Sequence, residues 1–183
     1  ATNAPPLFIL AGGPGQSVIS ADRLTLFQEP LLGPILKDHD VILLEQRGTI
    51  YSRPALTCPE AAATSLAELK ENLTPADASA KATATLNACI ARLQGEGVDF
   101  ASYNTVENAS DINDVRIALG YDQIIFYGAS YATLLGQFLL RQHPEALAGI
   151  ILDGTESPTT QSWAAGRAIN AQWGLDNVTQ LCA

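Results

Sequence analysis

Four short apolar runs recur along the chain, and each is continuous rather than alternating with polar residues. They are PLFILAG (6–12), DVILLEQ (40–46), QIIFYGAS (123–130) and LAGIILDG (147–154). Runs of this kind are typical of strands that are buried on both faces of a parallel sheet. We therefore expect four parallel strands.

Segments with helical spacing separate these runs. Residues 111–120 end in a glycine of the kind that follows a helix, and residues 133–145 come soon after the third run. Because strand and helix alternate, the pattern predicts an α/β fold with a mostly parallel sheet flanked by helices.

The segment 58–100 breaks this short rhythm. It is rich in alanine, and within it Thr74 is followed by Pro75 and Asp77, which is the pattern of a helix start. We expect two helices here, forming an excursion on one face of the sheet. Residues 159–183 have a looser helical pattern.

Composition and charge exclude several classes of protein. The chain has 183 residues, of which 47% are hydrophobic and 16% charged, as in soluble globular domains. Its net charge of −9 repels phosphate backbones and anionic lipid headgroups, so we expect no nucleic-acid partner. No apolar stretch approaches the ~20 residues of a membrane-spanning helix, so we expect no membrane partner either.

The chain has three cysteines, Cys58, Cys89 and Cys182, and no methionine. The cysteine spacing does not match a metal site, and one disulfide with a thiol left over is favoured over three buried thiols. A bridge between Cys58 and Cys89 would close a loop of ~30 residues, worth about 3 to 4 kcal/mol. Without an initiator methionine or a basic-then-apolar leader, we expect that a leader has been removed.

The turn YGASYA places Ser130 between an apolar run and a predicted helix, as in a nucleophile elbow. In such a turn the hydroxyl lies above the sheet, and the first amides of the helix point at the same spot. The usual pattern is Gly-x-Ser-x-Gly, whereas this chain has Ala132 at the last position. From this turn alone, a serine that caps a helix is an equal alternative.

Two other predicted strands end in unusual loops. The sequence GGPG (12–15) follows the first run, where a glycine loop can direct a backbone N–H across the site as an oxyanion donor. Glu45 and Arg47 follow the second run. The carboxyl ends of parallel strands lie at one edge of the sheet, which is where the active sites of such proteins are usually found. All three loops should therefore meet at this edge.

Together these motifs resemble the α/β-hydrolase superfamily, and within it the proline-iminopeptidase and tripeptidyl-aminopeptidase family of serine peptidases. That family has a Gly-Gly-Pro-Gly loop, an Asp-Gln-Arg-Gly turn and a Gly-x-Ser-Tyr-Gly elbow. CPE, CIARL, YNTVENASDINDVRIALGY and RQHPEALAGIILDG extend the likeness over almost the whole chain. This chain departs from the family at Glu45 for the aspartate, at Ile50 for the second glycine of the turn, and at Ala132.

The resemblance implies a role for each motif. Ser130 would be the nucleophile, the N–H groups of Gly13 and Tyr131 would be the oxyanion donors, and the bond before Pro14 would be cis. The residues expected to support the loops are Gly12, Pro14, Gly15, Glu45 and Arg47. The likeness, together with the helical excursion, also favours the pairing of Cys58 with Cys89.

A reactive serine needs a base within about 3 Å and an acid that orients this base. The chain has only two histidines. His143 should lie almost 20 Å from Ser130 along one helix, and His39 should lie at the opposite edge of the sheet. We expect neither to act as the base. Asp153, after the fourth run, is favoured as a structural loop residue over an orienting acid.

Other charged residues are expected to have structural roles. Glu45 and Arg47 should hold their loop over the sheet, with substrate contact as the alternative. Asp111 and Arg116 should be a solvated or loop-bracing pair on one helix. An ordinary surface position is favoured over contact with a substrate's free amine for three carboxylates, those of Asp22, Glu107 and Glu156.

The resemblance implies a secreted or periplasmic serine peptidase that cleaves short peptides from a free N-terminus through an acyl-enzyme on Ser130. It needs no cofactor and no metal. Residues 1–158 would form an incomplete α/β-hydrolase core and 159–183 the start of a helical cap, with base and acid on a second polypeptide segment. The alternatives are an esterase or amidase acting on a small ester or amide, and an incompetent fragment that acts as a binding module.

Overall fold

A computed structural model describes residues 4–20, 33–68, 70–159 and 163–181. Its strands are β1 (Leu7–Leu10), β2 (Val41–Leu43), β3 (Ile124–Ala129) and β4 (Leu147–Asp153). They form one sheet in the order β2-β1-β3-β4, and every neighbouring pair is parallel. The predicted parallel α/β sheet is therefore confirmed.

Helices connect and flank the strands. The helices are α1 (Gly33–Leu36), α2 (Pro59–Glu68), α3 (Pro75–Gly95), α4 (Thr105–Ala118), α5 (Tyr131–Gln142) and α6 (Trp163–Leu181). Two short 3₁₀ turns occupy Phe100–Ser102 and Pro144–Ala146. Within the described ranges, no helix combines the length and the apolar character that crossing a bilayer requires.

The two central strands carry the core on both faces, which explains their continuous apolar runs. Phe8 of β1 and Phe126 of β3 are fully buried and pack with residues of α4 and α5. On the other face, Leu7 and Ile9 pack with Val18. The central strands are thus fixed from both sides, and this holds the loops at their carboxyl ends.

The two helices expected in the excursion, α2 and α3, are present. Thr74 caps α3, because its side chain accepts a hydrogen bond from the backbone N–H of Asp77. Cys58, just before α2, forms a disulfide with Cys89 of α3, with the two Cα atoms 5.5 Å apart. The expected pairing is therefore present, whereas Cys182 lies outside the described residues.

The structure corrects the prediction for the helix that precedes β3. This helix, α4, begins at Thr105 rather than near residue 111, because Oδ1 of Asn104 accepts the N–H of Glu107 at 2.9 Å. The expected pair between Asp111 and Arg116 does not form. The guanidinium of Arg116 instead donates to the side chain of Asn113 and to the backbone carbonyls of Tyr121 and Asp122.

Candidate active site

Ser130 lies between β3 and α5 in an unusual backbone conformation. Its φ of 54° and ψ of −123° make it the one non-glycine residue with positive φ in the described part of the chain. Such a conformation costs energy and persists only where the surroundings enforce it. The N–H of Ser130 donates to the carbonyl of Asp153 at 2.9 Å, and its own carbonyl accepts the N–H of Thr133 at 2.8 Å.

The residues around Ser130 fit this sharp turn by their size. A Cβ at Gly128 would lie 2.6 Å from the carbonyl oxygen of Ala132, so the first small residue of the elbow must be glycine. Ala132 itself is fully buried within the core. Its methyl group is accommodated there, which explains how this chain departs from the usual glycine at that position.

The glycine loop after β1 lies directly against Ser130. A Cβ at Gly12 would approach within 2.8 Å of the Cβ of Ser130 and 3.3 Å of its Oγ. Gly13 has a φ of +117°, and the bond between Gly13 and Pro14 is cis, as the resemblance implied. Gly15 also has a positive φ. Only a glycine at residue 12 allows the loop backbone to approach the serine so closely.

Two backbone amides near Ser130 lack acceptors. Tyr131 is the first residue of α5, and in the described ranges neither its N–H nor that of Gly13 donates to a protein acceptor. The first N–H groups of a helix have no partner within the helix and attract negative charge. Both amides are therefore available to an oxyanion, and this role stays a prediction.

Glu45 ties the glycine loop to the turn after β2. Its carboxylate accepts hydrogen bonds from Oγ of Ser17 at 2.6 Å, from the N–H of Val18 at 2.8 Å, and from Thr49 and the N–H of Ile19. Burial alone would raise the pKa of Glu45, but these hydrogen bonds outweigh it and lower the pKa below its ordinary value. The ionised carboxylate is thus part of the loop structure.

Arg47 fixes the same turn to α4. Its Nε and Nη2 donate to the two carboxylate oxygens of Asp111, both at 2.7 Å, and Nη1 donates to the carbonyl of Ser102. The hydrogen bond to Asp111, more than any other contact, raises the pKa of Arg47. A bidentate pair of this kind fixes geometry as well as charge. Asp111 thus pairs with Arg47, a partner far from it in sequence.

On the opposite side of Ser130 lies Glu156, which sequence reasoning assigned to the surface. Its Oε1 is 3.5 Å from Oγ of Ser130. The backbone of Glu156 is held by Oγ1 of Thr133, which accepts its N–H at 2.9 Å, and by Gln137, which donates to its carbonyl at 2.8 Å. One signal in the sequence could have identified Glu156. It follows β4 closely, and β4 lies next to β3, the strand that leads to Ser130.

The other acidic candidates lie in different surroundings. Asp153 accepts a hydrogen bond from the hydroxyl of Tyr127 at 2.8 Å, and this bond, followed by burial, raises the pKa of Tyr127. Glu107 lies 3.8 Å from the guanidinium of Arg47. Asp22 is outside the described residues.

Neither histidine reaches the serine. Nδ1 of His39 lies 2.7 Å from the carbonyl of Pro5, which precedes β1 and so marks the amino edge of the sheet. His143 caps the far end of α5, about 20 Å from Ser130 at ~1.5 Å per residue. The described residues therefore bring the serine, the glycine loop and two free amides together, without a histidine.

Comparison with known proteins agrees with this geometry. Residues 5–183 match the family model of the alpha/beta hydrolase fold. The serine protease Hip1 of Mycobacterium tuberculosis and Mycobacterium bovis is 31% identical over 158 residues, which cover 83% of this chain and 29% of that protein. The putative hydrolase YuaR of Escherichia coli is 25% identical over 181 residues, 97% of this chain and 34% of that protein.

Two solved structures are also similar to the chain. A putative α/β hydrolase from Nostoc sp. PCC 7120 covers 83% of this chain and 36% of its own, with 18% identity and a TM-score of 0.46. A putative epoxide hydrolase from Pseudomonas aeruginosa covers 82% and 34%, with 18% identity and a TM-score of 0.44. The chain spans about a third of the length of the curated relatives. By its family match, its sheet and its elbow, the chain belongs to the alpha/beta hydrolase fold family.

Proposed function

We propose that the chain carries the nucleophile of a serine peptidase, an exo-acting aminopeptidase that forms an acyl-enzyme on Ser130. The observation that carries this proposal is the positive φ of Ser130 beside Gly12, where an added Cβ would lie 2.8 Å from the Cβ of Ser130. A serine that merely caps a helix would accept an N–H of the first turn with its side chain, and Ser130 makes no such bond.

The proposed reaction follows from the position of the free groups. Oγ of Ser130 attacks the substrate carbonyl, and its proton passes to a general base. The carbonyl oxygen becomes an oxyanion between the N–H groups of Gly13 and Tyr131. Such donors contribute about 10² to 10³-fold each to the rate in well-studied hydrolases. The base then gives the proton to the departing amine, and water later releases the acyl group.

The base and its orienting acid are proposed to come from sequence outside these 183 residues, as a second segment of the same fold. This proposal is supported by the positions of His39 and His143, both remote from Ser130. Among the described residues, Asp153 and Glu156 on the β4 side form no ion pair, so their carboxylates could bind groups that such a segment brings.

A peptidase is favoured over an esterase or amidase because the relative with 31% identity is named a serine protease. The site chemistry is the same in each case, because all three use a hydroxyl, a base and oxyanion donors. The Cys58–Cys89 disulfide supports a location outside the cytoplasm, where such bonds persist.

The experiment uses the full-length protein and three matched chromogenic substrates: an aminoacyl anilide, its N-acetylated form and a simple acyl ester. We expect turnover of the free aminoacyl anilide, much slower turnover of the acetylated form, and loss of both in Ser130→Ala. Ser110→Ala is the matched control, since that hydroxyl bonds only to a carbonyl within α4.

If the protein turned over the ester and neither anilide, the proposal of a peptidase would be wrong and an esterase would take its place. Absence of any Ser130-dependent turnover, in a protein that unfolds cooperatively, would favour a binding module.

A further inference from the structure

We propose that a cavity beside the oxyanion site binds an uncharged, apolar side chain of the substrate's acyl residue, and that Ile50 sets how large this side chain can be. The inference rests on the proposed role of Ser130. The cavity, here called the turn pocket, measures about 570 Å³ and lies between the turn 46–50, the start of α4 and the glycine loop.

The turn pocket lies next to both candidate oxyanion donors. Pro14, which follows Gly13, forms one part of its wall, and the side chain of Tyr131 forms another. A substrate whose carbonyl oxygen rests between the amides of Gly13 and Tyr131 therefore has the pocket within one residue of each donor. A cavity of this size is in the range of those that hold small ligands.

The walls of the turn pocket expose more apolar than polar surface, and most of their polar side chains already have hydrogen-bond partners. Ile50, Leu56 and Tyr103 contribute apolar surface. The hydroxyl of Tyr131 lies 3.0 Å from Oγ1 of Thr105.

The charged group in the wall of the turn pocket also has a partner within the protein. Arg47 is the one charged residue among the described lining residues, and its guanidinium is held by Asp111. A charged ligand would find no unpaired counter-ion among the described residues of this wall, and burying an unpaired charge is costly. An uncharged, apolar side chain is the ligand that fits.

Ile50 is held at the mouth of the turn pocket by a rigid turn. The N–H of Thr49 donates to the carbonyl of Gln46 at 3.2 Å, and the N–H of Leu56 donates to the carbonyl of Gly48 at 2.8 Å. Gly48 has a φ of +80°, and a Cβ there would lie 3.0 Å from the side chain of Leu56. Glycine is thus required at residue 48, and the two hydrogen bonds define the turn that carries Ile50.

The exposure of Ile50 has a functional interpretation. Its side chain is 55% exposed although it lines a cavity, so a ligand in the cavity would remove apolar surface from water on both partners. A larger residue here narrows the mouth of the pocket, which makes it a determinant of size.

The acyl side of the substrate is assigned to the turn pocket by elimination. The base must lie beside the leaving amine, because it donates the proton that the amine takes away. The β2 side of Ser130 is lined by the glycine loop and the turn 46–50, and this turn contains no histidine, carboxylate or lysine that could act as the base. The leaving amine and the base therefore share the β4 side, and the acyl residue faces the turn pocket.

The experiment measures how fast Ser130 of the full-length protein reacts with diphenyl α-aminoalkylphosphonates that mimic alanine, leucine, phenylalanine and lysine. In this step Oγ bonds to phosphorus, phenoxide leaves, and the serine proton passes through the base to give phenol. Labelling is quantified by mass spectrometry, without substrate turnover. The variants are Ile50→Ala, which widens the mouth, and Ile50→Trp, which narrows it.

We expect Ile50→Ala to raise the phenylalanine-to-alanine rate ratio about 10-fold and Ile50→Trp to lower it, a size typical of apolar pocket changes. Leu86→Ala is the matched control, because Leu86 on α3 is also 55% exposed but does not line the turn pocket. It should leave the ratio unchanged.

If the phenylalanine-to-alanine rate ratio did not change in either Ile50 variant and Ser130 were still labelled, the proposed role of the turn pocket would be wrong. The proposed function would remain intact. A preference for the lysine analogue would overturn the proposal that the pocket binds an uncharged side chain. Failure of Ser130 to react in the unmodified protein would overturn the nucleophile and the pocket together.

Discussion

The two sides of Ser130 differ in how their charges are used. On the β2 side, Glu45 accepts hydrogen bonds from two side chains and two backbone amides, and Arg47 is held by Asp111 and by backbone carbonyls. On the β4 side, the carboxylates of Asp153 and Glu156 each have a single side-chain contact among the described residues, from Tyr127 and Ser130.

This difference distinguishes charged residues that hold loops in place from charged residues that can still accept a partner. A charge that is fully hydrogen-bonded holds a loop, and its removal should be felt first as lost stability. A carboxylate with one weak partner at 3.5 Å retains acceptor capacity for a cation or a donor that arrives with the substrate or with another segment. In the proposed function, the β2 side would shape the oxyanion site, and the β4 side would receive the substrate or the second segment.

The largest effect is expected from Gly12→Ala, which would push the glycine loop away from Ser130. The new Cβ would lie 2.8 Å from the Cβ of Ser130 and 2.9 Å from the carbonyl of Ala129, so backbone must shift. We expect turnover of the full-length protein to fall about 10² to 10³-fold, as when an oxyanion donor is lost. Steady-state kinetics measures this loss.

Gly95→Ala at the end of α3 is the control, because a Cβ there meets nothing within 4 Å. Full activity in Gly12→Ala would contradict the close approach of the loop to the serine.

A smaller effect, on stability, is expected from Arg47→Ala on the β2 side. The change removes a bidentate pair and leaves Asp111 without its partner, so the free energy of unfolding should fall by about 2 kcal/mol. Urea denaturation measures it. Arg53→Ala is matched, since Arg53 is exposed and donates only to nearby carbonyls, and its effect should stay within about 0.5 kcal/mol.

Equal stability in the two arginine variants would mean that the β2 side is not held by charge.

The sequence allowed the sheet and the elbow to be predicted because both depend on local pattern. Continuous apolar runs coincide with β1 and β3, which are buried on both faces. The turn at Ser130 was recognisable from one glycine and the following helix. The start of α4 was missed although Asn104 followed by Glu107 is a capping pattern, because the expected helix was anchored on its C-terminal glycine alone.

Long-range partners were not predictable in this way. Asp111 was assigned to Arg116 by nearness in sequence, whereas Arg47, on the turn after β2, presents two parallel donors to it. Glu156 contacts Ser130 because β4 lies next to β3 in the sheet and Thr133 holds its backbone. Such contacts follow from strand order and loop path, which local spacing does not encode.

The smallest effect is expected from Glu45→Gln, and it should depend on pH. The pKa of Glu45 is lowered in the folded state from its ordinary value of 4.5, so its contribution to stability is present above this value and is lost as pH falls through the lowered pKa. At about pH 6 the variant should be less stable by about 1 kcal/mol, after solvent screening of this partly exposed site.

The difference between the two proteins should shrink as the pH falls towards about 3, as denaturation at each pH would measure. Glu145→Gln, at an exposed position beyond α5, is the control. A gap that grows on acidification would mean that the loop prefers the protonated form of Glu45.

The central claim is that Ser130 is the nucleophile, and covalent labelling tests it most directly. The full-length protein is treated with a fluorophosphonate and digested, and the modified residue is identified by mass spectrometry. The account predicts one modified serine, Ser130, and no labelling in Ser130→Ala. Modification of a different serine, or undiminished labelling of Ser130→Ala, would contradict it.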